Sequence, residues 1–258
     1  MRRALFLVAL VACEDTPRAS PAAASSAEAS APAPPPRAEG EGCIRSGSIE
    51  GADADPSCVL ARASDTAVRD AMKVITIDAL LDPDTVFGGT SAILRLTFTN
   101  NSSAETMLVL DAMPARDRLP RLDWSRIAGP AEPKVAQSDV PRLLFPLTTL
   151  DSSGRNVDAT PTLPPQPSST PPKLLGIRLR PGAKLVHTTQ WWAMRIPAPA
   201  PIFTDDAGHR FVPKTQPNPL WAGDYTVSVD VPIHGLTPPE RLVTAKVHVE
   251  RAPPKKEK

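Results

Sequence analysis

Aromatic residues make up 4% of this 258-residue chain, with a single tyrosine, and cysteines number only three. Charge of one sign is also missing. The formal net charge is +1, which leaves no electrostatic footprint for nucleic acid. No apolar run approaches the roughly 20 residues of a spanning helix, so a polytopic membrane protein is excluded. Coiled-coil and collagen repeats are absent. So are Gly-x-Ser-x-Gly, His-Glu-x-x-His, a phosphate-binding Gly-rich loop and Cys-x-x-Cys. The histidines His187, His209, His234 and His248 are widely spread, and no local pair has ligand spacing. We therefore expect no metal site and no cofactor. Proline is what the chain has in excess. There are 32, about twice the usual share of roughly 5%. Proline ends helices and stays out of central strands, so loops, edges and linkers are expected. Hydrophobic residues at 41% still suffice for a core, so the whole chain is not disordered.

The first residues read as an address. Arg2 and Arg3 precede an apolar run from Ala4 to Ala12, a positive n-region and an h-region too short to span a membrane. The run ends Leu10-Val11-Ala12-Cys13, which resembles the lipobox of bacterial lipoproteins. That resemblance covers about the first 13 residues. It implies removal of residues 1–12 and attachment of diacylglycerol to Cys13. Two or three acyl chains would hold the chain stably to a membrane, since one alone is marginal.

Residues 13–42 hold the lipidation site and then Ala, Pro and Ser with scattered charges, including Pro34-Pro35-Pro36. Nothing there can be buried, so a disordered linker is expected. As a coil it reaches roughly 30 Å, and in extended polyproline form about 90 Å. Cys43 and Cys58 follow. An exported pair without a third partner reads as a disulfide. It closes a loop of about 15 residues, worth around 3 kcal/mol in the chain-entropy description. We expect a small stapled segment over 43–70. Asp53-Ala54-Asp55 lacks the glycine and later glutamate of a calcium loop.

From Ala71 the dominant period is two. Ala92, Leu94, Leu96 and Phe98 alternate with Ile93, Arg95, Thr97 and Thr99. A polar turn, Asn100-Asn101-Ser102-Ser103, leads to a second apolar run from Thr106 to Leu110. Gly176 to Leu179 precedes the turn Arg180-Pro181-Gly182-Ala183, and a strand is expected from Leu185 to Ile196. Tyr225, Val227, Val229 and Val231 share one face. Val243, Ala245, Val247 and Val249 repeat the pattern, with Thr226, Ser228, Lys246, His248 and Glu250 toward solvent. One apolar face per strand is the mark of an antiparallel sheet packed on one side. No convincing helical period is present, and residues 112–172 read as irregular.

The expected fold class is all-β, an antiparallel sandwich over 71–251 with a basic tail at 252–258. Here the chain resembles bacterial envelope β-sandwich domains of the immunoglobulin-like kind. The matching stretches run Leu94 to Ser102, Arg180 to Gly182 and Ala222 to Val229. Similar strand-turn patterns occur in a bacterial proteinase-inhibitor family of this type of fold. The likeness is one of structure, which many unrelated functions share, and no functional residue carries over.

Two clusters invite a functional reading. Asp205-Asp206-Ala207-Gly208-His209 offers two carboxylates and an imidazole in a Gly-containing turn, suited to acid–base or cation chemistry. A polar hairpin tip has the same composition. In the strand from Leu185, Val186, Trp192, Met194 and Ile196 form the apolar side, which takes Trp192 to the core. Leu185, His187, Thr189, Trp191, Ala193 and Arg195 form the other. That second face either stands open to stack a sugar or peptide, or lies covered by the 112–172 segment. The reading is a lipid-anchored envelope protein with a non-catalytic binding or structural β-sandwich, not an enzyme. Its partners are the membrane and an envelope protein or glycan, with no nucleic acid. The alternatives are an envelope enzyme built on Asp205, Asp206 and His209, or a proteinase inhibitor.

Overall fold

The computed structural model describes residues 41–114, 121–122, 140–159, 162–163, 170, 172–198, 201–211 and 213–251. The signal peptide, Cys13, nearly all of the linker and the basic tail lie outside the described residues.

Cys43–Ile44 (β1) and Gly47–Ser48 (β2) come first. A 3-10 turn at Pro56–Cys58 leads to Val59–Leu60 (β3), and Asp65–Met72 forms helix α1. Ile75–Asp82 (β4), Thr85–Phe87 (β5), Ser91–Asn100 (β6) and Thr106–Ala112 (β7) follow. Next are Arg121–Leu122 (β8), Leu147–Leu150 (β9), Thr162–Leu163 (β10), Lys173–Leu179 (β11) and Lys184–Trp192 (β12). Four short strands, Met194–Arg195 (β13), Phe203–Thr204 (β14), Arg210–Phe211 (β15) and Asn218–Pro219 (β16), precede Gly223–Asp230 (β17) and Leu242–Glu250 (β18).

The fold class is all-β, and the described residues form three four-stranded sheets besides shorter two-stranded ones. In the first, β11 pairs antiparallel with β7 along its whole length, and its other edge carries β1 in parallel and β3 antiparallel. The second runs β2-β12-β6-β4, and the third β5-β18-β17-β9. Alternation drives the burial. Ala92, Leu94, Leu96 and Phe98 of β6 point into the core, as the period of two requires. They meet Leu108 and Leu110 of β7, Leu175, Ile177 and Leu179 of β11, and Val227 and Val229 of β17 in one cluster. Burying a side chain such as Phe98 contributes about 1.5–3 kcal/mol. The expected pairing of the last two strands holds, with Tyr225 opposite Val247 and Val229 opposite Val243. Lys246, His248 and Glu250 are exposed as expected, whereas Thr226 is half-buried and Ser228 buried, and Tyr225 and Val243 on the inward face are half-buried. β17 is flanked on both sides, and Thr148 and Thr244 stand directly beside the small serine.

Strands β6 and β7 are consecutive in sequence but belong to different sheets. The corner between them is held by Asn100, which is fully buried. Its Nδ2 donates to the carbonyls of Ala104 (2.8 Å), Leu179 (2.9 Å) and Arg180 (3.2 Å). Its Oδ1 accepts from the backbone and hydroxyl of Ser102. Leu179 and Arg180 begin the turn by which β11 passes to β12, so one amide ties together two sheet-to-sheet crossings.

Cys43 and Cys58 are joined, with their Cα atoms 4.4 Å apart. Within the 43–70 segment, β1, β2 and β3 each extend a sheet of the main domain. Gly176 permits this, because a Cβ there would lie 2.6 Å from Leu60. Helix α1 also went unforeseen. Ser64 caps it by accepting from Ala67, but only Val68 of its residues is buried, so its apolar stripe is too narrow to show as a period. No helix among the described residues is long and apolar enough to cross a membrane.

Candidate functional site

The register of β12 against β6 decides which of its faces is covered. His187 lies opposite Leu96, Thr189 opposite Leu94 and Trp191 opposite Ala92, and directly opposed residues share a face. The odd-numbered side therefore joins the core. Trp191 is 3% exposed, and its indole N–H donates to Thr149 Oγ1 at 3.0 Å. Thr149 belongs to β9, inside the 112–172 segment. At Trp191 the covered arrangement, one of the two expected, is what the structure holds, with β9 supplying the cover. Trp192, placed in the core from sequence, is half exposed. Adjacent tryptophans are apolar on both faces of a strand, so a one-residue offset inverts the assignment.

His187 and Thr189 are half-buried. The imidazole stacks on Phe145, with ring centroids 4.1 Å apart, and Nδ1 lies 3.1 Å from Glu50 Oε1. Burial pulls its pKa below the usual imidazole range, against the opposing pull of Glu50. This pair fastens the stapled loop to β12.

Arg195 is the one member of the expected face that reaches an exposed aromatic. The backbone of Ala193 explains how. Its N–H donates to Thr90, and its carbonyl accepts from Gly89 (2.8 Å) and Leu220 (2.9 Å). The ends of three chain segments thus meet at one small buried residue. Trp192 immediately precedes Ala193, and Trp221 immediately follows Leu220. Next to this junction β13 pairs with β16. The Arg195 guanidinium lies 3.8 Å above the centroid of the Trp221 ring, within reach of the ring's negative face. Trp221 is 69% exposed. Arg195 Nε is buried and makes no hydrogen bond, and no ion pair engages this guanidinium among the described residues.

The Tyr225 hydroxyl donates to the Trp221 carbonyl at 3.0 Å. Burial raises its pKa, with Arg195 opposing. Tyr225 also lines a cleft of about 470 Å³ bounded by Asp84, Thr85, Ser152, Asp224, Lys246 and His248. There His248 Nδ1 lies 2.7 Å from Asp224 Oδ1. Trp221 and Tyr225 were not singled out from sequence as ligand contacts. The signal that was available is a tryptophan just outside a strand, in a Pro-rich stretch with no alternation to bury it.

Asp205, Asp206 and His209 occupy the tip of the β14–β15 hairpin. Asp205 accepts from the backbone of Ala207 and His209, and its Oδ2 lies 3.0 Å from His209 Nδ1. The His209 backbone donor lowers the Asp205 carboxyl. These bonds all close on the turn itself, and the His209 side chain is 75% exposed. Among the described residues, ligand atoms meet at metal-binding spacing only in Cys43, Asp55 and Cys58, where both sulfurs are committed to the disulfide. Asp55 caps the 3-10 turn through Ser57, whose hydroxyl lowers its carboxyl, and Asp53 accepts from Leu143.

No family model matches the chain, and no curated protein matches it. Among solved structures, an alkylpurine DNA glycosylase from Pseudomonas fluorescens is similar over 69% of this chain and 30% of its own, at 15% identity and a TM-score of 0.27. A β-glucosidase from Listeria innocua in complex with laminaribiose is similar over 68% of this chain and 16% of its own, at 13% identity and a TM-score of 0.26. A β-glucosidase from Erythrobacter marinus covers 68% and 15%, at 10% identity and a TM-score of 0.27. The chain spans less than a third of each of these proteins, and likeness at this level assigns no activity.

Proposed function

We propose that this chain is a lipid-anchored cell-envelope protein whose immunoglobulin-like β-sandwich binds an envelope ligand without catalysis. The observation that carries the binding role is the Arg195–Trp221 contact, a guanidinium held on an exposed indole with no carboxylate partner among the described residues. Exposed aromatics and arginine are the side chains that dominate recognition surfaces. The enzyme alternative has less support, because the Asp205 carboxylate and the His209 imidazole bond to each other within their own turn. The inhibitor alternative rests on the likeness of fold. The anchor rests on the lipobox-like run ending at Cys13, and the Pro-rich linker is the spacer that lifts the domain off the membrane.

The test is cosedimentation of the full lipidated chain, in detergent, with purified envelope fragments. We expect the native chain to pellet with them, Trp221→Ala to remain largely in solution, and the fragments to be chemically unchanged. Equal retention of native and Trp221→Ala chains would remove the proposed face, and cleavage of the fragments would return the enzyme reading.

A further inference from the structure

Resting on the binding role above, we infer that the ligand is an acidic glycan, its carboxylate taken by Arg195 and a sugar ring stacked on the neighbouring indole. Three observations select this chemistry.

The first is the state of Arg195. The side chain is half-buried, its Nε is enclosed without a hydrogen bond, and its guanidinium carbon rests 3.8 Å over the Trp221 ring. A stacked guanidinium is oriented in advance, so little freedom is lost when it meets a planar anion. Carboxylate is the acceptor that matches its fork of donors.

The second is the aromatic surface. Trp221 and Trp192 are 69% and 50% exposed and flank the Ala193–Leu220 junction. A flat indole presents a negative face to the weakly positive C–H face of a pyranose ring. The sugar supplies apolar area without needing a deep pocket.

The third is the cleft beside Tyr225. It offers Asp84, Asp224, Thr85, Ser152 and Lys246, carboxylates and hydroxyls that accept from sugar hydroxyls and an ammonium that donates to them. Its volume of about 470 Å³ is within the range of small-ligand sites. The strands forming its floor are already paired. In register Thr226 lies between Lys246 and Leu150, and His248 lies between Asp224 and Thr85, its N–H donating to the Asp84 carbonyl. Thr85 stands on β5, an outer strand of that sheet, so an acidic tripeptide is the control that separates strand addition from binding through sugar hydroxyls.

The experiment titrates the full chain in detergent with tri-galacturonate, with its methyl ester as the neutral counterpart, and with an unrelated acidic tripeptide, by calorimetry. The acid should bind at least about tenfold more tightly than the ester, the size of one charge-assisted hydrogen bond. Arg195→Met should erase that ratio, and Trp221→Ala should weaken both sugars. Arg95→Met, on the outer face of β6, should change neither. Equal binding of acid and ester by the native chain overturns the inference, and that comparison needs no variant to fold. So does binding of the tripeptide alone. Neither of those results touches the wider binding role, which fails separately if envelope fragments do not retain the protein.

Discussion

The buried side chain of Asn100 donates to the carbonyl of Leu179 at 2.9 Å, joining the end of β6 to the end of β11 across two sheets. Asn100→Ala would leave the carbonyls of Ala104, Leu179 and Arg180 and the backbone of Ser102 without this partner. Each enclosed polar group left unpaired costs about 1–3 kcal/mol, so a loss of about 2–4 kcal/mol in urea unfolding is expected, with the slope unchanged. Asn101→Ala, one residue on, removes a single exposed bond to Thr76 and should cost less than about 1 kcal/mol. Equal losses would show that the corner does not depend on the amide.

The last strand offers a second contrast between neighbours. Val247 is 3% exposed and Lys246 faces solvent. Val247→Asp places a charge in the core and should lower stability by about 3 kcal/mol or more, enough to threaten a marginally stable domain. Lys246→Asp should change it by less than about 0.5 kcal/mol. Matched shifts in melting temperature would mean the alternation of this strand does not set its burial.

These strands were legible because one face is apolar and the other polar. The alternation in β6, β17 and β18 names the core residues directly. β12 was not legible in the same way. Trp191 and Trp192 satisfy either face, and only pairing with β6 shows that Leu185 and Trp191 turn inward. Helix α1 buries one residue, and β9, Leu147–Leu150, is a four-residue strand in Pro-rich surroundings, so neither produces a period long enough to read. The candidate site was half visible. Arg195 could be placed on a face, but its meeting with Trp221 depends on the tertiary junction at Ala193, which no local pattern encodes.

His187 carries a pH signature. Burial holds its imidazole below the ordinary value of 6.5, so the unfolded chain takes up this proton at a higher pH than the folded one. The stability associated with the neutral ring is complete above about pH 6.5 and is lost as pH falls from there through the folded pKa. His187→Leu should therefore lose less melting temperature than the native protein between pH 7 and pH 5. Asp158, whose carboxyl is raised by burial, runs in the opposite sense but contributes equally to both proteins. Parallel melting curves across that range would contradict the assignment.

Cys13 should carry the anchor. Metabolic labelling with a fatty-acid analogue is expected to mark the native chain and to leave Cys13→Ser unlabelled, with the variant released from the membrane fraction. Label persisting on Cys13→Ser would place the lipid elsewhere or remove it from the account.

The central claim is that recognition takes place at Trp221 and Arg195 and not at Trp191. The indole N–H resonances of the full chain, labelled with nitrogen-15 and assigned through single tryptophan variants, separate these positions in one spectrum. On addition of glycan fragments released from the envelope, the Trp221 signal should shift or broaden, while Trp191, bonded to Thr149 in the core, should stay fixed. A Trp191 signal that moves while Trp221 does not would contradict the account.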